Sequence, residues 1–298
     1  MSATEGSHVM SGSHNGVRRQ SPTVRARRLA VELANRRDAT GLTREEVARR
    51  LKWSPSTIFR IETGRSLPQP RSIRELLDLY GVIGPERDSL MQLAREARQP
   101  CWWHSFRDVL PSPYEVYIGL ESGAESLYNF EPIVIPGLLQ TPDYVRALIK
   151  GGAQELGHDE IERRVEVRLI RQQILTRQDR PRLWAIIDEA AIHRVVGNPT
   201  IMRKQLHHLV TAAEEGKTTL QVVPFSAGSH PGTTGPFVIF GFPEQADAQV
   251  VYVETLAGDL YLEQHADVSR YTLAFDRLRA TALSPDGSMG MVKRAAEA

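Results

Sequence analysis

Among 298 residues there is a single cysteine, Cys101. One thiol can form neither an internal disulfide nor a thiolate zinc cluster, so no covalent or Cys-rich metal framework holds this chain together. Cys101 reads as a partly buried small hydrophobe. Long apolar runs are also missing. No stretch approaches the ~18 consecutive apolar residues of a membrane helix, and residues 1–20 lack the apolar centre of a signal peptide. The expected setting is the cytoplasm, with no membrane partner. Metal and cofactor signatures are absent as well: there is no phosphate-cradling Gly-rich loop opening a helix, no nucleophile elbow and no zinc spacing. His207 and His208 are adjacent and point about 100° apart on a helix, which is not an i, i+4 ligand pair. The chain is therefore expected to carry no cofactor and no metal.

Net charge is nearly absent too, at +1, but it is unevenly distributed. Residues 1–99 hold 18 Lys+Arg against 11 Asp+Glu, while residues 100–298 hold 19 against 25. A small basic segment fused to a larger acidic one implies that the first alone faces a polyanion. Hydrophobic and charged fractions of 41% and 24% are ordinary for globular chains, and 298 residues suit two folded units.

The basic segment reads as five short helices. From Val24 to Arg37 the apolar positions Ala26, Leu29, Ala30 and Leu33 recur at helical spacing, and Gly41 closes the helix. Thr43 and Glu46 then form a capping box, with Val47, Ala48 and Leu51 turned inward. After the two-residue break Lys52-Trp53, Ser54 is an N-cap and Pro55 suits the first helical position. With Ile58 and Ile61 inward, the helix from Pro55 to Glu62 displays Ser56, Thr57, Phe59 and Arg60. Two further helices follow, from Ser72 to Tyr80 and from Pro85 to Arg98. Two helices joined by a tight turn, the second presenting polar and basic groups, match the docking geometry of a helix-turn-helix on duplex DNA.

The run LTREEVARRLKWSPSTIFRIETGRSLPQPRSIRELLDLYGV, and STIFRIETGR above all, resembles the XRE, or phage-repressor-like, family of helix-turn-helix domains. The resemblance implies phosphate contact at Thr43 and at Thr63 and Arg65, and base reading at Ser56 and Arg60. Pro55 departs from the family pattern and offers no amide to a base, and Phe59 stands where a polar residue is common. The expected DNA-facing set is Thr43, Ser54, Ser56, Thr57, Phe59, Arg60, Thr63 and Arg65.

The stretch QPCWWHSFRDVLPSP cannot continue a helix and marks a boundary, and Trp102, Trp103 and Phe106 within it argue against a free linker and for a contact that pins the two domains together. The expected division is a disordered leader over 1–21, a helix-turn-helix domain over 22–99, an aromatic linker over 100–113, an α/β domain over 114–285 and a flexible tail over 286–298. In the larger domain, helical patterns are expected at 114–129, at 142–150 behind the cap Thr141, and at 159–177. Arg163, Arg164, Arg168 and Arg171 on the last of these read as a solvated face interleaved with Glu162 and Glu166. RLWAII, TLQVVPF, PFVIFGF, VVYVET and DLYLE read as strands, with a hairpin turn at Leu256-Ala257-Gly258 and helices at 199–215 and 266–283. The fold class is thus multi-domain, an all-α five-helix domain followed by a mixed α/β (α+β) domain. The Gly-rich segment 226–236 reads as a long mobile hairpin connection in which His230 stands alone.

Trp102, Trp103, Trp184 and His230 are candidate ligand or partner contacts. Asp188, Glu189, His193 and Glu254 are the only catalytic material, and caps at helix starts account for the carboxylates more simply. No catalytic residue is assigned, and the chain is not expected to be an enzyme.

The segments YNFEPIVIPGLLQTPDYVRALI, IERRVEVRLIRQQILTRQDRPRLWAIIDEAAI, TLQVVPFSAGSHPGTTGPFVIFGFP and VVYVETLAGDLYLE resemble the C-terminal domain of WhiJ-like actinomycete regulators. That resemblance implies an antitoxin-like transcriptional regulator working with a small neighbour-encoded protein. The expected function is sequence-specific binding of a double-stranded operator by a homodimer, under control of a small-molecule effector or that protein partner. The alternatives are an interaction protein that neutralises the partner and regulates its own operon, and an enzyme carrying a DNA-binding domain.

Overall fold

The computed structural model describes residues 21–152, 156–244 and 247–297. Residues 1–20 of the expected leader lie outside them. Ser21, the last residue assigned to the leader, instead caps the first helix by accepting from the Thr23 amide.

The N-terminal unit is helical throughout, with α1 at Pro22–Ala39, α2 at Arg44–Leu51, α3 at Pro55–Glu62, α4 at Pro70–Leu79 and α5 at Gly84–Glu96. Each start is written locally. Thr43 and Glu46 cap α2 reciprocally, Ser54 caps α3, and proline occupies the first turn of α1, α3, α4 and α5. Leu29, Leu33, Val47, Ile58, Ile61, Ile73, Leu76 and Leu77 close a common core.

Residues 100–113 are not a free linker. Trp102–Phe106 forms a 3-10 turn, and Trp103 and Phe106 are buried with Val109, Leu110, Ile118 and Val167. Proline prevents an α-helix here, but a 3-10 turn still brings the aromatic rings to one side.

The second unit begins with α6, Ser112–Gly123, and β1, Ser126–Glu131. The helix expected over 114–129 therefore stops at Gly123. Leu127 and Phe130 are buried on opposite faces, so the strand shows no polar alternation to betray it. The chain continues through α7 (Pro142–Gly152), α8 (His158–Gln172), β2 (Arg182–Asp188), α9 (Glu189–His193), α10 (Pro199–Glu214), β3 (Thr219–Val223), β4 (Phe237–Gly241), β5 (Val250–Thr255), β6 (Gly258–Leu262), α11 (His265–Thr281) and α12 (Pro285–Glu297). Thr141 does not cap α7 through its side chain. Its hydroxyl has no partner among the described residues, and its amide donates to Gln205 instead.

The strands form one mixed sheet in the order β3-β2-β1-β4-β5-β6, parallel from β3 to β1 and antiparallel from β1 to β6. Alternate side chains serve two layers. Leu127, Ile187, Val222 and Phe240 pack with Leu206 and Leu209 of α10 and Val292 of α12. Phe130, Ile186, Ile239 and Val251 pack with Phe275 and Leu278 of α11.

Two further expectations are corrected. The segment 226–236 is not a hairpin connection, because β2 and β1 lie between β3 and β4 in the sheet. It crosses the ends of those strands as two 3-10 turns. Nor is 286–298 a flexible tail: α12 buries Val292 and Ala296, and its Ser288 hydroxyl accepts from the Val222 amide at 2.9 Å. An edge strand leaves a row of unpaired backbone groups, and α12 covers that row on β3.

α1 serves both units. Its Val24 belongs to the core of the second unit, and Gly119 and Gly123 of α6 form the seat beneath it. A Cβ on Gly119 would stand 1.9 Å from the Thr23 hydroxyl, and one on Gly123 would stand 2.8 Å from Val24. Arg27 of α1 also pairs with Glu263 at 2.5 Å, and Arg28 pairs with Glu244.

Candidate nucleic-acid interface

The turn between α2 and α3 is held at both ends. Lys52 adopts a left-handed conformation with φ of 58°, and the Trp53 amide donates to the Ala48 carbonyl at 2.8 Å. A non-glycine residue in that region costs about 1 kcal/mol, which here secures a fixed angle between the two helices. Trp53 packs against the helical core below.

Ser54, Ser56, Phe59, Arg60, Thr63 and Arg65 are exposed together along α3 and the residues after it. Thr57 departs from expectation. It is half-buried, and its hydroxyl shares a 2.8 Å hydrogen bond with the Ser54 hydroxyl, so it supports the cap more than it faces outward. Thr63 is exposed, but it turns both its hydroxyl and its amide back to the Phe59 carbonyl, at 2.8 and 3.0 Å. Thr43 is exposed at the start of α2. Its amide donates to Glu46 at 2.8 Å, and this bond, with the Thr43 hydroxyl, holds the Glu46 carboxyl below its usual range.

Phe59 is 39% exposed, and two guanidiniums stand over its ring, Arg44 at 5.4 Å and Arg65 at 5.6 Å. A cation over an aromatic face is attracted by the ring quadrupole, so the ring and both arginines restrain one another. Arg60 and Arg65 make no ion pair with a carboxylate among the described residues, and neither do Arg49, Arg50 or Lys52. Uncompensated cations beside an exposed helix are what a phosphate backbone requires.

Two residues that sequence reasoning missed organise this surface, Arg44 and Glu62. Glu62 is buried and accepts from Arg37 of α1 at 2.7 and 3.2 Å and from Arg44 of α2 at 2.6 Å. The Glu62 contact raises the Arg37 guanidinium above its ordinary range. A signal was available in the sequence. A basic residue in the first turn of α2 opposes the helix dipole and so needs a partner, and Glu62 lies four residues beyond the inward Ile58.

The remaining candidates do not converge. Trp102 meets Trp103 and Phe106 edge-on, with ring centroids 5.6 and 6.1 Å apart. Trp184 lies on β2 beneath Arg279 at 5.0 Å and donates to Gln221 at 2.9 Å. His230 is not alone: its Nε2 lies 3.1 Å from Asp188, and its Nδ1 accepts from the Gly232 amide at 3.2 Å. The crossing of 226–236 over the sheet end brings His230 there. Trp184 and Asp188 are separated by about 13 Å of strand.

The catalytic material is similarly engaged. Asp188 caps α9 through the Ala190 amide, and Glu189 accepts from the Phe225 amide at 2.6 Å while His193 lies 3.4 Å away. Glu254 instead lines a small cavity with Glu131, Tyr117 and Arg168. Burial there pushes the Glu131 carboxyl up to about 8, with Glu254 adding repulsion. Among the described residues, no group of three or more His, Cys, Asp or Glu is arranged to hold a metal ion.

The arginine face expected to be solvated on α8 is split. Arg163 and Arg164 pair with Asp108 and Glu160 near the surface. Arg171 is buried and makes a two-pronged pair with Glu121 at 2.7 and 2.8 Å beneath Tyr114 and Tyr117.

Comparison with known families places a helix-turn-helix domain at residues 28–90 and a domain of unknown function, DUF5753, at residues 114–294. The chain belongs to the DUF5753 family. No curated protein and no solved structure matches it. The helix-turn-helix match and the geometry of α2 and α3 define a DNA-binding regulator with an α+β domain attached. Among the described residues, no helix is long and apolar enough to cross a membrane.

Proposed function

We propose that the chain is a sequence-specific transcriptional regulator that reads the major groove with α3. The observation that carries this reading is the exposed row Ser56, Phe59, Arg60 and Arg65, in which both arginines lack a carboxylate partner. Arg60 takes a guanine edge, Phe59 presses on the groove floor, and Arg65, Thr63 and Thr43 meet phosphates. Two copies on a palindromic operator multiply the discrimination of one module, which favours a homodimer. The WhiJ-like resemblance of the α+β domain supports control by an effector or a small neighbour-encoded protein.

A sequence selection followed by a salt-controlled shift assay tests this reading. Arg60→Ala is expected to cost about 1–3 kcal/mol and to relax one base position, whereas Arg65→Ala weakens all sequences alike and lowers the salt slope by about 1. Binding that both substitutions leave unchanged overturns the assignment.

The antitoxin-like reading is favoured by one feature, the β6 edge. β6 pairs with β5 alone in the sheet, and Leu256 and Leu260 beside that edge are exposed. Such an edge accepts a strand from a partner protein. Co-purification with the neighbour-encoded protein, lost on Leu260→Lys, tests it.

A further inference from the structure

Where the helical unit meets the α+β domain there is a cleft of about 750 Å³. Its walls include Ala26 of α1, Leu67 after α3, Arg98 after α5, Trp103 of the 3-10 turn, Arg107 just beyond it, and Glu115 of α6. Small-molecule sites favour domain interfaces and span roughly 300–1,000 Å³. Charge within the cleft is unbalanced. Arg107 is compensated by Glu115 at 3.3 Å. Arg98 has no carboxylate partner among the described residues: it donates through Nη2 to the Pro68 carbonyl, and its buried Nε–H has no partner. Ala26, Leu67 and Trp103 also line the cleft, Trp103 with only 4% of its surface exposed.

We propose that this cleft binds a small planar aromatic carboxylate, its ring lying between α1 and Trp103 and its anionic group set against Arg98. The walls belong to both units, so an occupant favours the arrangement in which α1 is docked on α6 and holds α3 in one orientation. Only this consequence rests on the DNA-binding reading above; the site itself does not. Coupling between the two ligands is reciprocal, so an occupant that changes DNA affinity has its own affinity changed by the same factor.

The full chain labelled with 5-fluorotryptophan tests the site without DNA, because its four tryptophans each give a separate fluorine NMR signal. Titration with naphthoate is expected to shift the Trp103 signal saturably and to leave that of Trp53 in place. Arg98→Met, and independently Ala26→Phe, which fills the cleft from the α1 side, should each weaken binding by at least about tenfold, as should replacing naphthoate with the uncharged naphthylmethanol. Both variants are to be checked for an unchanged circular dichroism spectrum. An absent Trp103 shift, full affinity in the folded Ala26→Phe protein, or equal binding of the uncharged probe overturns the site. Equal affinity for the selected DNA with and without saturating naphthoate overturns the coupling.

Discussion

Each unit of this molecule contains a buried carboxylate that holds arginine, and the two pairs have opposite outlets. Glu62 joins Arg37 and Arg44, and the Arg44 side chain is 39% exposed while that of Glu62 is 2% exposed. Charge fixed in the interior is thus led out to the ring of Phe59 and the surface beside α3. Glu121 holds Arg171 with both side chains under 5% exposed, beneath a pair of stacked tyrosines. That pair staples α8 to α6 and presents nothing outside. Similar chemistry therefore positions a binding surface in one unit and fastens a scaffold in the other, and what separates the two roles is that Glu62 also holds a second, partly exposed arginine, Arg44.

The comparison can be broken most severely at the closed pair. Glu121→Ala leaves a buried guanidinium uncompensated, with an expected loss of about 3–5 kcal/mol in urea unfolding. The double replacement Glu121→Leu with Arg171→Met should recover most of that loss, since a buried pair adds little over apolar packing. A smaller loss is expected at the open hub. Glu62→Ala should cost about 1.5–3 kcal/mol, because Arg44 can still be solvated. Unlike the first substitution, it should also lower DNA affinity at constant fold, as measured by shift assay after the folded fraction is equalised.

A third substitution tests whether the two units are bound as one. Gly119→Val drives a side chain into Thr23, and overpacking of this kind costs about 1–3 kcal/mol. Faster proteolysis within 100–111 is the expected readout, and unchanged cleavage would show that the seat is not needed. A pH-dependent effect is expected at Glu131. The folded chain keeps its proton up to about pH 8, whereas the unfolded chain releases it near 4.5, so this residue lowers stability as pH rises through that interval. Glu131→Gln should raise the thermal midpoint at pH 8 and leave it unchanged at pH 4.

Much of the helical unit was legible in the sequence because its signals are local. Thr43 with Glu46, and Ser54 with Pro55, fix helix starts within four residues of chain. The outward direction of Phe59 and Arg60 follows from Ile58 and Ile61. Thr57 departs from the outward reading because Ser54, the cap of the same helix, captures its hydroxyl. The sheet was harder to read. β2 to β6 announce themselves as apolar runs, but β1 lies at the centre of the sheet, buried on both sides, and it follows a helix without a strong stop. Its strand character depends on Arg182 and Gly241, which are paired with Ser126 from 56 and 115 positions away. Arg171 was misread for a similar reason: nothing near it in sequence reveals Glu121.

Gly119 and Gly123 let α1 settle against α6 at a distance that no larger residue permits. α1 is therefore an axle common to both units, and any tilt of α6 is delivered to the reading head without slack. Excising the first hundred residues would leave Val24 bare and would free α3 from the frame that aims it, so a fragment made this way should grip DNA with its chemistry intact and its bearing lost.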